Sequence, residues 1–191
     1  MANLTTTPTP HTQLRKALFL DRDGVVIQYI PYLCKSEQVK LPLGAGEALK
    51  QWQDAGYLLI LVTNQAGVGR GYYTLEDVTA VNSHICQKYA EFGVEFHDIF
   101  LCPHHPKTQC LCRKPSPKML IDASKKHEIA LSQSFFVGDA PSDIECAINA
   151  DCQPVLVLTG RGAETLQQVP EYPKKIEICE SLQETVRLIR A

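Results

Sequence analysis

Lys16-Ala17-Leu18-Phe19-Leu20-Asp21-Arg22-Asp23-Gly24 decides the fold. A short apolar run ends on a carboxylate, and a glycine follows soon after. Continuous apolar residues bounded by a turn signal predict a strand buried on both faces. Residues 57–62 (YLLILV) repeat the pattern and stop at Thr63. Residues 96–101, 134–137 and 154–158 give three more strands, followed by Cys102, Gly138-Asp139 and Thr159-Gly160. Helical patterns fall between them at 45–55, 75–92, 117–127 and 141–150, and 182–189 closes the chain. Strand alternating with helix predicts an α/β fold: a parallel sheet of about five strands, with right-handed crossovers placing helices on both faces. In such sheets ligands sit beyond the carboxyl ends of the strands, which singles out Asp21, Thr63, Cys102 and Asp139.

Composition narrows the possibilities. The chain has 191 residues and 21.3 kDa, enough for one domain of ordinary size. Its apolar content of 45 % and mean hydropathy of −0.12 suit a buried core, and its longest apolar runs are strand-sized, so no membrane partner is expected. Nineteen Lys and Arg against twenty-one Asp and Glu leave no basic field for nucleic acid. Residues 1–13 are rich in Thr and Pro and lack the basic and apolar regions of a signal peptide. They read as a loose tail of a cytosolic protein, with 14–191 as a single domain and a monomer as the expected state.

Asp21 and Asp23 place two carboxylates where the chain leaves the sheet. Asp and Gly also favour turns, so the pair alone has a structural reading. Its chemical reading is that one carboxylate attacks phosphorus, while the other protonates the leaving oxygen and then activates water. Thr63-Asn64, Arg113-Lys114-Pro115, and Gly138-Asp139 with Asp143 follow later strands. Asp-x-Asp, Thr, Lys and Gly-Asp-x-x-x-Asp, in that order, resemble the four motifs of the haloacid dehalogenase (HAD) superfamily of phosphotransferases. The resemblance runs from about Leu18 to Gly160. It implies that Asp21 is the nucleophile and Asp23 the general acid/base, with Thr63 and Lys114 holding phosphoryl oxygens. It also implies Mg²⁺ held by Asp21, Asp139 and the backbone carbonyl of Asp23, offsetting repulsion between nucleophile and phosphate. Asp143 is expected to hold Lys114 by a salt bridge.

Eight cysteines would allow a disulfide framework, yet three of them lie within eleven residues beside histidines, at Cys102, Cys110 and Cys112. With His104 they supply a Cys₃His set for a closed, structural Zn²⁺ site. The competing reading, buried or oxidised cysteines, is disfavoured because a bridge across C-x-C is strained. His105 is the second choice of imidazole. The zinc loop would order the segment carrying Arg113 and Lys114. Cys34, Cys86, Cys146, Cys152 and Cys179 read as core or incidental loop residues.

HAD enzymes commonly carry a cap domain after the first or third strand, but residues 24–43 and 102–115 are too short to form one. An open site is expected, rimmed by these segments and by 64–73. The C-x-H…C-x-C loop running into Cys-Arg-Lys-Pro resembles the branch holding D-glycero-D-manno-heptose 1,7-bisphosphate phosphatases and histidinol-phosphate phosphatases. Thr63-Asn64-Gln65-Ala66-Gly67-Val68-Gly69-Arg70-Gly71-Tyr72-Tyr73 is closer to the heptose enzymes. That resemblance implies an aspartyl-phosphate route to removal of the C7 phosphate, with a small phosphorylated sugar as substrate and Tyr32, Asn64, Gln65, Arg70 and Arg113 as its contacts. The alternatives are histidinol phosphate or another sugar phosphate. A third, non-enzymatic alternative is a zinc-stabilised binding module. Two departures bear on the sugar: Tyr32 alone matches the heptose enzymes' Asn-x-Asp-x-Gly-Tyr, and Ala140 stands where they often have Lys.

Overall fold

The strand predicted at the start of the chain is β1 (Lys16–Leu20), and it lies in the middle of the sheet. In this computed structural model, which describes residues 14–168 and 173–189, β1 is flanked by β2 (Tyr57–Asn64) and β4 (Phe135–Gly138). Beyond these lie β3 (Asp98–Cys102) on one side, and β5 (Gln153–Val157) and β6 (Glu177–Cys179) on the other. The order is β3-β2-β1-β4-β5-β6, and every neighbouring pair is parallel. Leu20 pairs with Leu61 and with Val137, so the chain ends following β1, β2 and β4 converge on one edge.

Side-chain alternation along β1 feeds two cores. Leu18 and Leu20 pack with Leu49 and Trp52 of α1 (Ala45–Asp54) and with Val81, Ile85 and Tyr89 of α3 (Leu75–Ala90). Ala17 and Phe19 face Met119, Leu120 and Ala123 of α4 (Lys118–His127) and Cys146 and Ala147 of α5 (Pro141–Asn149). Fully burying one such side chain contributes about 1.5–3 kcal/mol, which is why both faces of the strand had to be apolar. The sheet therefore has helices on both sides.

Three details differ from the sequence reading. The sheet has six strands, because Glu177–Cys179 adds a three-residue edge strand too short to show an alternation. A short α2 (Ala66–Gly69) and α6 (Gly162–Gln168) are additional helices. The closing helix is a 3₁₀ turn at Gln183–Leu188, tied down where Trp52 Nε1 donates to Thr185 Oγ1 at 2.9 Å. The reading of residues 1–13 lies outside the described residues.

Residues 24–43 contain a 3₁₀ turn at Ser36–Gln38 and an isolated bridge from Ile27 to Asp23, and residues 103–117 contain no helix or strand. Neither forms a cap. No described helix is long and apolar enough to cross a membrane.

Candidate active site

Asp21 leaves the carboxyl end of β1 with its backbone N–H donating to the Val137 carbonyl at 2.9 Å. Its Oδ1 accepts from the Arg22 backbone N–H at 2.7 Å. Lys114, only 3 % exposed, reaches the same carboxylate from the loop after β3. Its Nζ lies 2.8 Å from Asp21 Oδ1, 2.8 Å from Asp143 Oδ1 and 2.9 Å from the Val62 carbonyl. Three acceptors thus meet the three hydrogens of one ammonium. Burial opposes its charge, but the Asp143 and Asp21 carboxylates outweigh burial and hold Lys114 well above the usual lysine range. The expected salt bridge from Asp143 is present.

Asp143 lies in the first turn of α5 and does a second job there. Its Oδ2 accepts from the backbone N–H groups of Asp139 (3.2 Å) and Ala140 (3.0 Å), satisfying donors at the helix start. The approach is so close that a Cβ on Gly138 would sit 2.1 Å from Asp143 Cβ, which explains the glycine in Gly-Asp-x-x-x-Asp. Burial raises the Asp143 carboxyl against the opposing pull of Lys114.

Asp139 is fully buried, with Oδ2 accepting from the Arg161 N–H at 2.8 Å. Among the described residues its Oδ1 has no hydrogen-bond partner; the Arg161 guanidinium is 3.7 Å away. Burial first, then the charges of Asp21 and Asp143, push its carboxyl up to about 7. Carboxylate oxygens of Asp21, Asp139 and Asp143 lie within 4.8 Å of one another. A buried, partnerless carboxylate oxygen among hard oxygen donors fits a small divalent cation such as Mg²⁺. Both oxygens of Asp143 are engaged, Oδ1 by Lys114 and Oδ2 by the start of α5, whereas Asp21 meets Lys114 and the Arg22 N–H through one oxygen, Oδ1, so Asp21 and Asp139 are the carboxylates placed to hold it, with the Asp23 carbonyl on the same turn.

Asp23 faces the cleft and is bound on both oxygens. Gln65 Nε2 donates to Asp23 Oδ2 (3.0 Å) and to Thr63 Oγ1 (2.8 Å), and Gln65 Oε1 accepts from the Tyr73 hydroxyl (2.9 Å). Gly67 leaves room for Tyr73, whose ring carbons a Cβ there would meet at 2.2 Å. Burial raises the Tyr73 hydroxyl's pKa. The Thr63-to-Tyr73 motif is therefore a scaffold for Asp23 and Thr63.

A cleft of about 400 Å³ opens over these groups. Of the residues expected to contact substrate, Tyr32, Asn64, Gln65 and Arg113 line it. Asn64, however, exchanges two hydrogen bonds with the Lys114 backbone (3.1 and 3.2 Å), and the Gln65 amide is engaged as above. Both act on the protein rather than outward. Arg70 is not among the lining residues: it follows α2 on the side where Gly69 packs against the His105 backbone. Arg161, Tyr29 and Ser142 line the cleft and were not singled out from sequence. Arg161 follows β5, so the strand-end rule applied to it as well. Its half-exposed guanidinium lies 5.6 Å from the Tyr29 ring centroid. Tyr32 meets Tyr72 edge-on at 4.9 Å, joining the rims after β1 and β2.

The predicted zinc ligands come together. Cys102 Sγ is 3.6 Å from Cys110 Sγ and 3.5 Å from His104 Nδ1, which is 3.2 Å from Cys112 Sγ. Tetrahedral ligands about 2.3 Å from a zinc would be about 3.8 Å apart, so the donor set fits. Burial and the neighbouring thiols push Cys102 up to about 12, whereas for Cys110 burial is outweighed by backbone donors and the neighbouring thiols, which draw it down. His105 instead accepts from the Lys107 backbone N–H. Among the described residues the cysteines are free thiols. Arg113 hangs from this loop by donating to the His104 carbonyl.

Comparison with known proteins agrees with this geometry. The HAD-hydrolase-like family matches residues 111–185. The chain is 36 % identical over 176 residues to D-glycero-beta-D-manno-heptose-1,7-bisphosphate 7-phosphatase of Helicobacter pylori, covering 92 % of this chain and 98 % of that one. It is 41 % identical to the Pseudomonas aeruginosa enzyme of the same name, covering 82 % and 89 %. The crystal structure of the B. bronchiseptica D,D-heptose 1,7-bisphosphate phosphatase, complexed with magnesium and phosphate, superposes with a TM-score of 0.85 at 34 % identity, covering 91 % and 97 %. The chain belongs to the HAD superfamily of phosphatases, in the branch of these heptose-bisphosphate enzymes. Its reaction class is hydrolysis of a phosphate monoester.

Proposed function

We propose that the protein removes the C7 phosphate of D-glycero-D-manno-heptose 1,7-bisphosphate through an aspartyl-phosphate on Asp21. The supporting observation is an uncapped cleft whose floor holds Asp21, Asp23 and Lys114 and whose mouth carries Arg113 and Arg161. Asp21, held by Lys114, attacks phosphorus as the bond to the sugar oxygen breaks, and Asp23 gives that oxygen its proton. Water then attacks the phosphoryl group, gives a proton to Asp23, and the bond to Asp21 breaks to release phosphate. Thr63 offers its hydroxyl to a phosphoryl oxygen. Mg²⁺ on Asp21, Asp139 and the Asp23 carbonyl would supply charge neutralisation. Zn²⁺ on Cys102, His104, Cys110 and Cys112 would hold Arg113 in place. With no cap to enclose a substrate, a second phosphate gives the cleft something to grip, and guanidinium forks suit it. The free thiols suit a reducing compartment, and we read the protein as a cytosolic monomer acting on a small phosphorylated sugar.

The deciding experiment compares kcat/KM for heptose 1,7-bisphosphate and histidinol phosphate with Mg²⁺ present. Preference for the bisphosphate is expected. A preference for histidinol phosphate, or phosphate release that does not depend on Mg²⁺, would overturn the proposal.

A further inference from the structure

Arg22 is the residue between the two functional aspartates, and it is 1 % exposed. An arginine in a turn ordinarily points to solvent. This one folds its fork back onto its neighbour: Nε lies 3.0 Å from Asp23 Oδ2 and one terminal nitrogen lies 3.1 Å from Asp23 Oδ1. The other terminal nitrogen donates to Asn82 Oδ1 of α3 at 3.2 Å. Its backbone meanwhile donates to Asp21 and accepts from Val26 and Ile27. With Arg22 buried and Asp23 at the edge of the cleft, such a pair contributes little to stability over apolar packing, because desolvation cancels much of the attraction.

We infer that Arg22 is a positioning residue for the general acid/base, its guanidinium fixing the Asp23 carboxylate in the rotamer used for proton transfer. The inference rests on the role proposed for Asp23. Asp23 lies at the cleft, 20 % exposed, where an untethered carboxylate would sample several rotamers. Two bonds from Arg22 and one from Gln65 fix its plane and occupy three of about four lone-pair sites. The remaining capacity is on Oδ1, which directs proton exchange to one oxygen. Asn82 anchors the fork to α3, so the acid/base is referenced to the helix packed on the sheet. Lysine would keep the charge but lose the planar, two-point hold.

The test uses the full-length protein with Mg²⁺ and two substrates. An alkyl phosphate needs a proton on its leaving oxygen, whereas p-nitrophenyl phosphate leaves as a stabilised phenolate. Misplacing a catalytic group by about 1 Å costs on the order of 10²-fold, so Arg22→Lys should lower kcat on the alkyl phosphate by about 10- to 100-fold with KM nearly unchanged. With p-nitrophenyl phosphate it should show a burst of nitrophenol at close to the wild-type rate, then slow turnover, because only the water step still needs Asp23. Arg22→Lys combined with Asp23→Asn should be no slower than Asp23→Asn alone. Equal losses in the alkyl phosphate rate and the nitrophenol burst, or losses that multiply in the double variant, would overturn the inference and leave Arg22 a packing residue. If Arg22→Lys fails to fold, Asn82→Ala is read in the same cycle, with about a 3- to 10-fold effect expected and the same discrimination between substrates. An active Asp23→Asn protein would instead overturn the role of Asp23 on which the inference depends.

Discussion

Cys110→Ala separates what zinc would do for the fold from what it would do for the reaction. Cys102 is buried at the end of β3, so the metal's structural effect falls on the stretch from His104 to Cys112. Ordering a loop of about ten residues costs about 10–20 kcal/mol of backbone entropy, and a structural zinc supplies about 10–16 kcal/mol. The two nearly cancel, so loss of zinc should fray the loop rather than unfold the sheet. The net effect is then the packing of Cys110 and Cys112 on the core and of His105 on Gly69, about 3 kcal/mol, at the upper end of single-site losses. For a chain of this length that lowers Tm by about 6–12 °C. Lys114 is held by Asp21, Asp143, Val62 and Asn64, none of them in the zinc loop, whereas Arg113 is held by the His104 carbonyl. Turnover of p-nitrophenyl phosphate should therefore stay within about 3-fold, while kcat/KM for the bisphosphate should fall about 10- to 150-fold, the equivalent of one charge-assisted hydrogen bond of about 1.5–3 kcal/mol. Metal analysis, thermal melts and the two assays test this together. Unchanged zinc content and Tm, or equal losses on both substrates, would refute the reasoning.

Asp21→Asn should abolish turnover without unfolding the protein, and phosphoryl label should appear on Asp21 in the wild type but not in the variant. Arg161→Ala should lower kcat/KM for the bisphosphate about 10-fold or more, whereas Arg70→Ala should change it less than about 3-fold; the reverse ranking would show that the exposed turn after α2 reaches the substrate. The metal-free protein should lose stability as pH rises from about 4 to about 7. The raised carboxyl of Asp139 keeps a proton in the folded state that the unfolded chain has already lost, and the folded protein is penalised once that proton leaves. Mg²⁺ should accordingly raise Tm more at pH 8 than at pH 5.5, and an equal rise at both would count against Asp139 as a ligand.

The sheet was legible because β1, β2 and β4 are near-continuous apolar runs that end at polar residues or glycine, whereas β3 opens on Asp98 and is carried by Ile99, Phe100 and Leu101. β6 was not, since Glu-Ile-Cys is a three-residue edge strand paired with β5 on one side and carries too little pattern to separate from loop. Asp21, Asp23, Lys114, Asp139 and the cysteine cluster stood out in the sequence because a chemical need ties residue type to spacing, and the structure gathers Asp21, Lys114 and Asp139 at one strand edge and the four cysteine and histidine donors in one loop. Roles that depend on where a side chain turns were less visible. Asn64 and Gln65 stand in a motif that suggests substrate contact, yet their amides close on Lys114 and Asp23. Arg22 was not singled out from the sequence, and its burial against Asp23 shows only in the structure. Arg70 and Arg161 are both arginines beside glycines after a strand, and only the path of the loops after β2 and β5 brings one of them, Arg161, to the cleft.

Trp52 is the only tryptophan in the chain. Its indole is fully buried, edge-on to Tyr57 at 4.7 Å and to Phe135 at 5.3 Å, on the face of the sheet covered by α1 and α3. The cysteine cluster packs on the opposite face. The molecule thus carries an optical reporter of one half of its core that is blind to the other. Tryptophan emission will follow global melting and the release of the 3₁₀ turn bound through Thr185, while release of a zinc held by the cysteine cluster would follow the far side. When the two signals are recorded in one melt, a gap between them measures how independently the two faces of a single sheet come apart.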